Sequence, residues 1–598
     1  VFAALKSRGG AWLAQPTSLR WLVLLGVLLA APSLNTGLVA DDYIHAVILR
    51  GLPTVAPTKG PLDLFRFADG DAKRGQALID SGEFPWLARP TLRFSFFRPL
   101  SSLTHLADYR LWPDSPWAMH AQSLFWFAIC LALAALFYRR FLGPGLVAGL
   151  AMLAFAIDDA HGPVVGWIAN RNALVAFALA LPVLLLHDRA RRDKDVRAGV
   201  LAPLFLAISL FAGESSLAIG GYLFAHAVHL DKASWKSRLA SLSPYGLVVI
   251  AWRALYSHLG YGVAGSGIYL DPLRDPRAFL VALPVRFVFL LIGQLGKLWS
   301  DLATIYADLS PWLLPLALCI CVSTLAFLIW AVLPLLKSSA TARFFASGML
   351  LATLPICATF PADRLLLFVG LGGMGLVALL CTQALTPQAR AARGFLVLCH
   401  FILAPIFLPI RARSMMTIRA MIALADDTIP RTADIVGKTV ILLDPPNDIF
   451  GAFVPAMRNV LGVPRPARFR ILAGGTAETK VLRVDANSIR VTPAHGFFEP
   501  ETARLLRGAQ DPFFPGEKIA ISGLEITIEA VTGDSRPASV LFQFEEPLEH
   551  SQLVWLAWTE VGYAPWQPPA IGQTISLPER SFWRAIRYAL ERREGGTK

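Results

Sequence analysis

Between residues 21 and 410 the chain is a succession of apolar runs separated by short charged loops. A bilayer core of roughly 30 Å takes about 20 apolar residues of helix, and shorter runs are tolerated by thinning or protein contacts. Eleven candidate spans follow, near 21–39, 118–137, 143–157, 172–187, 199–212, 216–230, 244–258, 311–335, 344–359, 365–382 and 394–410. Composition agrees, since 55% of the 598 residues are hydrophobic, 16% are charged and the mean hydropathy is +0.53. That many apolar residues face lipid as well as a core.

The first run, Trp21 to Ala40, follows Lys6, Arg8 and Arg20 and has the look of a secretory signal. It exceeds a usual signal core, and Leu38 stands where cleavage takes a small residue, so it reads as an uncleaved first span. The net charge of +13 is not gathered into an aromatic-laced patch, which argues against nucleic acid as a partner. The basic residues sit in loops and orient the bundle. With the N-terminus cytoplasmic, the inner loops carry Arg139 and Arg140; Arg189, Arg191, Arg192, Lys194 and Arg197; Lys232, Lys236 and Arg238; Lys337 and Arg343; Arg390 and Arg393. This orientation keeps 259–310 outside, as interfacial helices interrupted by Arg286 and Lys297. A span there would place Lys337 and Arg343 outside. The six cysteines all lie in apolar runs, with no disulfide framework or zinc spacing.

The predicted architecture is an α-helical polytopic membrane bundle of about eleven helices followed by a β-rich soluble domain. Residues 1–20 form a cytoplasmic N-terminus, 21–410 the bundle with outer loops 41–117 and 260–310, and 411–598 the outer domain. The expected location is a bacterial inner membrane with the last domain periplasmic.

Chemistry is therefore sought on the outer side. Asp41 and Asp42 stand where the first span leaves the membrane, followed by His45. An acidic pair there can simply meet water, or one carboxylate can take a proton from an acceptor hydroxyl. Arg98 lies in Phe96-Phe97-Arg98-Pro99-Leu100, where a guanidinium can hold a phosphate or pair with Asp41, Asp42 or Asp108. His105 and His120 follow before the second span. Arg171, in Trp167-Ile168-Ala169-Asn170-Arg171, opens the fourth span. Glu214 lies between spans five and six, and an ionisable group at membrane depth marks function by default. Arg364 breaks the positive-inside pattern and needs a partner, with Asp363 or a lipid phosphate available.

The order of these features resembles the GT-C superfamily, and within it the protein O-mannosyltransferase-like and TMTC members, over roughly residues 20–410. The resemblance implies an inverting glycosyltransferase, hexosyl or pentosyl, that takes sugar from a polyprenyl-phosphate donor and glycosylates a cell-envelope lipid, polysaccharide or protein. It implies that Asp41 or Asp42 is the catalytic base and that Arg98, Arg171 and Arg364 hold the donor phosphate or organise the site. The relatives often have Lys-Glu where this chain has Gly213-Glu214, and an acidic residue where it has Asn172. The tail has no tetratricopeptide-like repeats. Two carboxylates can hold a divalent metal or work alone, so a divalent metal stays open as the one cofactor the site suggests. The competing readings are a transporter or flippase of a lipid-linked saccharide and a non-catalytic membrane scaffold. A transporter would place ionisable residues near the midplane within inverted repeats, and no repeat is evident.

Beyond 411 the pattern turns to short alternating runs, Thr439–Leu443, Lys480–Val484, Ile489–Thr492, Leu524–Val531, Ser539–Phe544 and Leu553–Trp558, which read as a β-sandwich or small barrel. A basic end helix is expected over 578–593. His495, Glu499 and Glu501 fall short of a metal motif, and Asp444-Pro445-Pro446-Asn447-Asp448 is a turn signal.

Overall fold

The computed structural model describes residues 8–303, 312–383, 386–445, 448–475, 477–498 and 504–595. Pro446, Asn447, Glu499 and Glu501 lie outside them. The chain folds into two compact units, one made of Val1–Gly37, Phe96–Gly260 and Asp271–Met415, the other of Leu38–Ser95, Tyr261–Leu270 and Met416–Lys598. The first long loop and part of the second thus belong to the same unit as the C-terminal region.

The first unit is a helical bundle. Among the described residues seven helices are long and apolar enough to cross a membrane: Ser18–Asn35, Pro116–Leu142, Ile168–Arg192, Trp235–His258, Pro276–Gly296, Leu313–Ser338 and Pro387–Thr428, the last running on into the other unit. Shorter apolar helices are Leu146–Ala156, Val196–Leu210, Ala340–Ile356 and Leu367–Thr382. A further helix, Ile219–His229, follows a short 3-10 turn. Each of the eleven predicted runs has its helix. The chain is an integral membrane protein with an α-helical bundle and a β-rich C-terminal region.

Local signals set the helix starts. Asp195, Ser234, Asp275, Ser339 and Thr386 each accept a backbone N–H in the first turn of the helix they precede. Proline opens Pro116–Leu142 and Pro276–Gly296, where its missing N–H costs nothing. Glycines permit the closest crossings. A Cβ on Gly372 would lie 2.6 Å from the Phe345 carbonyl oxygen, and one on Gly348 would lie 2.3 Å from the Tyr222 ring. Such small-residue contacts drive helix association in lipid, where apolar burial alone gives no preference.

Pro276–Gly296 is a helix of span length where the sequence reading expected interfacial helices. Its attachments all belong to one face of the bundle. Asp271 ahead of it pairs with Arg253 at 2.7 Å, near the end of Trp235–His258. Arg286 donates to the Cys357 carbonyl at 2.9 Å, just beyond Ala340–Ile356. Lys297, which ends it in a left-handed conformation, pairs with Asp158 beyond Leu146–Ala156. The opposite face is tied by Arg140 to Asp188 and Asp193 and by Arg191 to Asp231.

The second unit has three sheets. Strands β1 (Arg66–Asp69), β2 (Arg93–Ser95) and β3 (Gly262–Ala264) form a small antiparallel sheet. Next come β4 (Thr439–Leu443), β5 (Arg468–Ala473), β6 (Thr479–Arg483), β7 (Ser488–Pro493), β8 (Lys518–Ile521), β9 (Leu524–Val531), β10 (Pro537–Phe544), β11 (Leu553–Thr559), β12 (Gly562–Pro565) and β13 (Thr574–Leu577). A six-stranded sheet has the order β13-β6-β7-β10-β9-β8, and a four-stranded sheet the order β12-β11-β4-β5.

The four-stranded sheet corrects the expectation of a plain sandwich or barrel. β4 pairs in parallel with both β5 and β11, and the helix Asp448–Leu461 makes the crossover from β4 to β5. Parallel strands bury both faces and read as unbroken apolar runs, as Val440 to Leu443 do. One core gathers around Trp86, edge-on to Phe497 and Phe542, with its indole N–H on the Leu472 carbonyl at 3.0 Å. The end helix forms as Phe582–Gly595 and buries Ala585 and Ala589.

Candidate functional site

The predicted site residues divide between the units. Asp41 and Asp42 open the helix Asp41–Leu49 of the second unit, after Ala40 at φ 48°. Their environments differ. Asp42 is buried and its carboxylate accepts the Val39 N–H at 2.9 Å, fixing the chain as it enters the helix. Asp41 is half-buried and lines a cavity of about 100 Å³ within that unit. Ile44, Val47, Phe67, Phe94 and Phe453 supply apolar wall, and Glu83 and Arg465 face each other at 3.9 Å. Burial pushes the Glu83 carboxyl above its ordinary value. His45, one helical turn after Asp41, is buried between the rings of Phe65 and Phe67.

The remaining candidates lie in the bundle unit. Arg98 pairs with Glu214 at 2.7 Å and stacks on Phe96, 4.4 Å from the ring centre, so two residues singled out separately form one ion pair.

Arg171 is fully buried. It pairs with Asp108 at 2.5 Å, donates to Ser123 at 3.0 Å and to the Met119 carbonyl at 2.7 Å, and bonds Gln122. These bonds hold three helices together at the start of Ile168–Arg192. Burial pushes Asp108 up to about 6, against the pull of Arg171. His105 is buried on the helix Pro99–Leu111, and His120 contacts the Gly37 carbonyl at 3.1 Å.

Arg364 is held differently. Its guanidinium lies 5.4 Å from the Trp167 ring centre and 5.2 Å from that of Phe360. Among the described residues it makes no ion pair, because Asp363, the sequence-adjacent partner, is engaged elsewhere. Asp363 bonds Arg411 and accepts from the Ser300 N–H at 2.8 Å. A half-buried cation between two aromatic faces can accept an anion without first breaking a salt bridge.

A polar network that sequence reasoning missed joins the same face. Lys297 donates to Asp158 at 2.6 Å and lies 2.8 Å from Asp159. Gln294 donates to Asp158 at 2.6 Å and the Trp299 indole to Asp159 at 3.1 Å. Arg411 bridges Asp363 and Asp301, the latter at 2.9 Å, and stacks over Trp299. Buried charges persist only when paired in this way. The network pins Pro276–Gly296, the connection after Leu146–Ala156 and the end of Ala404–Arg411. A signal was present in Asp158-Asp159, an acidic pair set directly after an apolar run too short to cross a bilayer unaided. Among the described residues no group of three or more His, Cys, Asp or Glu is placed to hold a metal ion.

The chain matches no protein-family model and no curated protein. Among solved structures it is similar to ArnT from Cupriavidus metallidurans bound to undecaprenyl phosphate, at 12% identity and a TM-score of 0.35, covering 74% of this chain and 85% of that one. The apo form of ArnT gives 13% identity and 0.35, over 74% and 84% of the two chains. The Archaeoglobus fulgidus oligosaccharyltransferase tethered with an acceptor peptide gives 10% identity and 0.34, over 75% of this chain and 64% of that one. At these values the functional reading rests on the chain's own residues.

Proposed function

We propose that the protein is a GT-C-type inverting glycosyltransferase that moves a sugar from a polyprenyl-phosphate donor to a hydroxyl of a cell-envelope acceptor. The observation that carries this reading is the division of labour in the acidic pair. Asp42 is buried and accepts the Val39 N–H, while Asp41 is half-buried and lines a cavity. A carboxylate so placed accepts the proton of an acceptor hydroxyl. The acceptor oxygen then attacks the anomeric carbon, the bond from that carbon to the phosphate oxygen breaks, and polyprenyl phosphate leaves with inversion. Arg364, between Trp167 and Phe360 and without an ion pair among the described residues, binds the donor phosphate. Arg98 is held by Glu214 and organises its surroundings.

In this reading the protein lies in a bacterial inner membrane with a cytoplasmic N-terminus, and the second unit is periplasmic. Arg139, Arg140, Arg189, Arg191, Arg192, Lys232, Lys236, Arg238 and Lys337 then stay on the cytoplasmic side. The test is transfer of radiolabelled sugar from polyprenyl-phosphate donors to envelope extracts by membranes with and without the protein. Protein-dependent labelling with an inverted linkage is expected. Equal labelling in both membranes would move the flippase and scaffold readings forward.

A further inference from the structure

The cavity beside Asp41 has a character that narrows the acceptor. It is built wholly within the second unit, from the helix Asp41–Leu49, the segment 53–56, β2 and the helix Asp448–Leu461. Its wall is chiefly hydrocarbon. Of the polar residues around it, Asn459 donates to the Pro53 carbonyl at 2.7 Å, the Thr54 hydroxyl accepts the Ala56 N–H at 3.0 Å and Glu83 is paired with Arg465. A molecule entering beside Asp41 therefore meets aliphatic and aromatic carbon on most sides. The space exists because Ala56, Ala452 and Ala456 stand where larger side chains would fill it.

Resting on the reading of Asp41 as the base, we propose that this cavity is the acceptor pocket and that the acceptor carries its hydroxyl on an apolar alkyl or aryl body. A sugar or peptide acceptor would bury several polar groups against a wall that is chiefly hydrocarbon, which is costly. A hydroxylated alkyl chain buries one polar group, and that group meets the carboxylate. The pocket then selects its occupant by apolar fit.

The test uses the full-length protein in phospholipid nanodiscs with a radiolabelled polyprenyl-phosphate sugar. Acceptor probes are n-decanol and methyl 3-hydroxydecanoate, compared with methyl glucoside and a serine-containing hexapeptide. Wild type is expected to label the two apolar alcohols at least about tenfold faster than the polar probes, in line with the worth of apolar fit in a pocket. Ala456→Phe, on a helix, and Ala56→Trp, on a loop, are expected to raise the KM for n-decanol about tenfold or more and leave the donor KM within about twofold. The loop variant keeps the test decisive if the helix variant does not fold. Faster labelling of methyl glucoside or the hexapeptide, or an unchanged KM for n-decanol in both folded variants, overturns the pocket while the glycosyltransferase reading stands. A raised donor KM in place of the acceptor KM likewise overturns it. Failure of every probe together with no protein-dependent transfer to envelope extracts overturns the glycosyltransferase reading and the pocket with it.

Discussion

Arg171 and Arg364 read alike in the sequence, as arginines opening two spans, yet the structure gives them opposite surroundings. Arg171 is fully buried against Asp108, Ser123, Gln122 and the Met119 carbonyl. Arg171→Met strands the Asp108 carboxylate, so a stability loss of roughly 3–5 kcal/mol is expected, read as a lowered Tm. Arg364→Gln removes a cation that makes no ion pair among the described residues. Its Tm is expected to move little, and the donor KM to rise about tenfold, the effect of losing one charge-assisted contact. The adjacent carboxylates are separable by the same pair of measurements. Asp42→Ala removes the acceptor for the Val39 N–H and is expected to cost about 1 kcal/mol of stability. Asp41→Asn is expected to lower turnover far more than it lowers Tm, so unfolding and turnover measured on the same samples separate the two roles.

At the scale of elements, apolar runs and short alternating strands were legible because each carries its pattern locally. Thr439–Leu443 has the predicted bounds in the structure, and all eleven apolar runs became helices. Partnerships distant in sequence were not legible. Asp158 meets Lys297 across 139 positions, and Arg98 meets Glu214 across 116. β5 was missed because Arg468 and Arg470 interrupt its apolar pattern. Arg470 is nevertheless buried, donating to the Asp80 and Ser522 carbonyls at 2.9 Å each. Without β5 the parallel pairing of β4 was not legible either. Close approach at the network has its own test. A Cβ on Gly166 would lie 2.3 Å from the Ala412 carbonyl oxygen, next to Arg411. Gly166→Ala is expected to lower stability by about 1–3 kcal/mol through that overlap. Gly220→Ala, with nothing within 4 Å, is expected to be neutral or stabilising by up to about 1 kcal/mol. Thermal unfolding of the two single variants in one detergent makes the comparison.

Across the whole molecule, the chain builds its second compact unit from three stretches, so the segment 38–95 folds with the C-terminal region. Trp86 and the tight approach of Gly82 to the Phe469 backbone are among the contacts that join them. No local pattern announces such a join, and the sequence reading therefore drew 41–117 as a loop. Glu83, beside that junction, gives the unit a pH signature. Because burial holds its carboxyl above the ordinary value of 4.5, the folded unit keeps this proton when the unfolded chain has lost it. The stability it contributes is complete below the unfolded value and is lost as pH rises through the folded one. Glu83→Gln is expected to flatten that part of the stability–pH curve for the second unit, measured by denaturant unfolding from pH 4 upward.

In the proposed reaction Asp41 takes the acceptor proton while Asp42 serves the fold. The most direct measurement is single-turnover transfer of labelled sugar from a polyprenyl-phosphate donor by wild type, Asp41→Asn and Asp42→Asn, each at matched amounts of folded protein. A loss on the order of 10²–10⁴-fold for Asp41→Asn, with near wild-type turnover for Asp42→Asn, is the predicted result. Undiminished transfer by Asp41→Asn would contradict the claim.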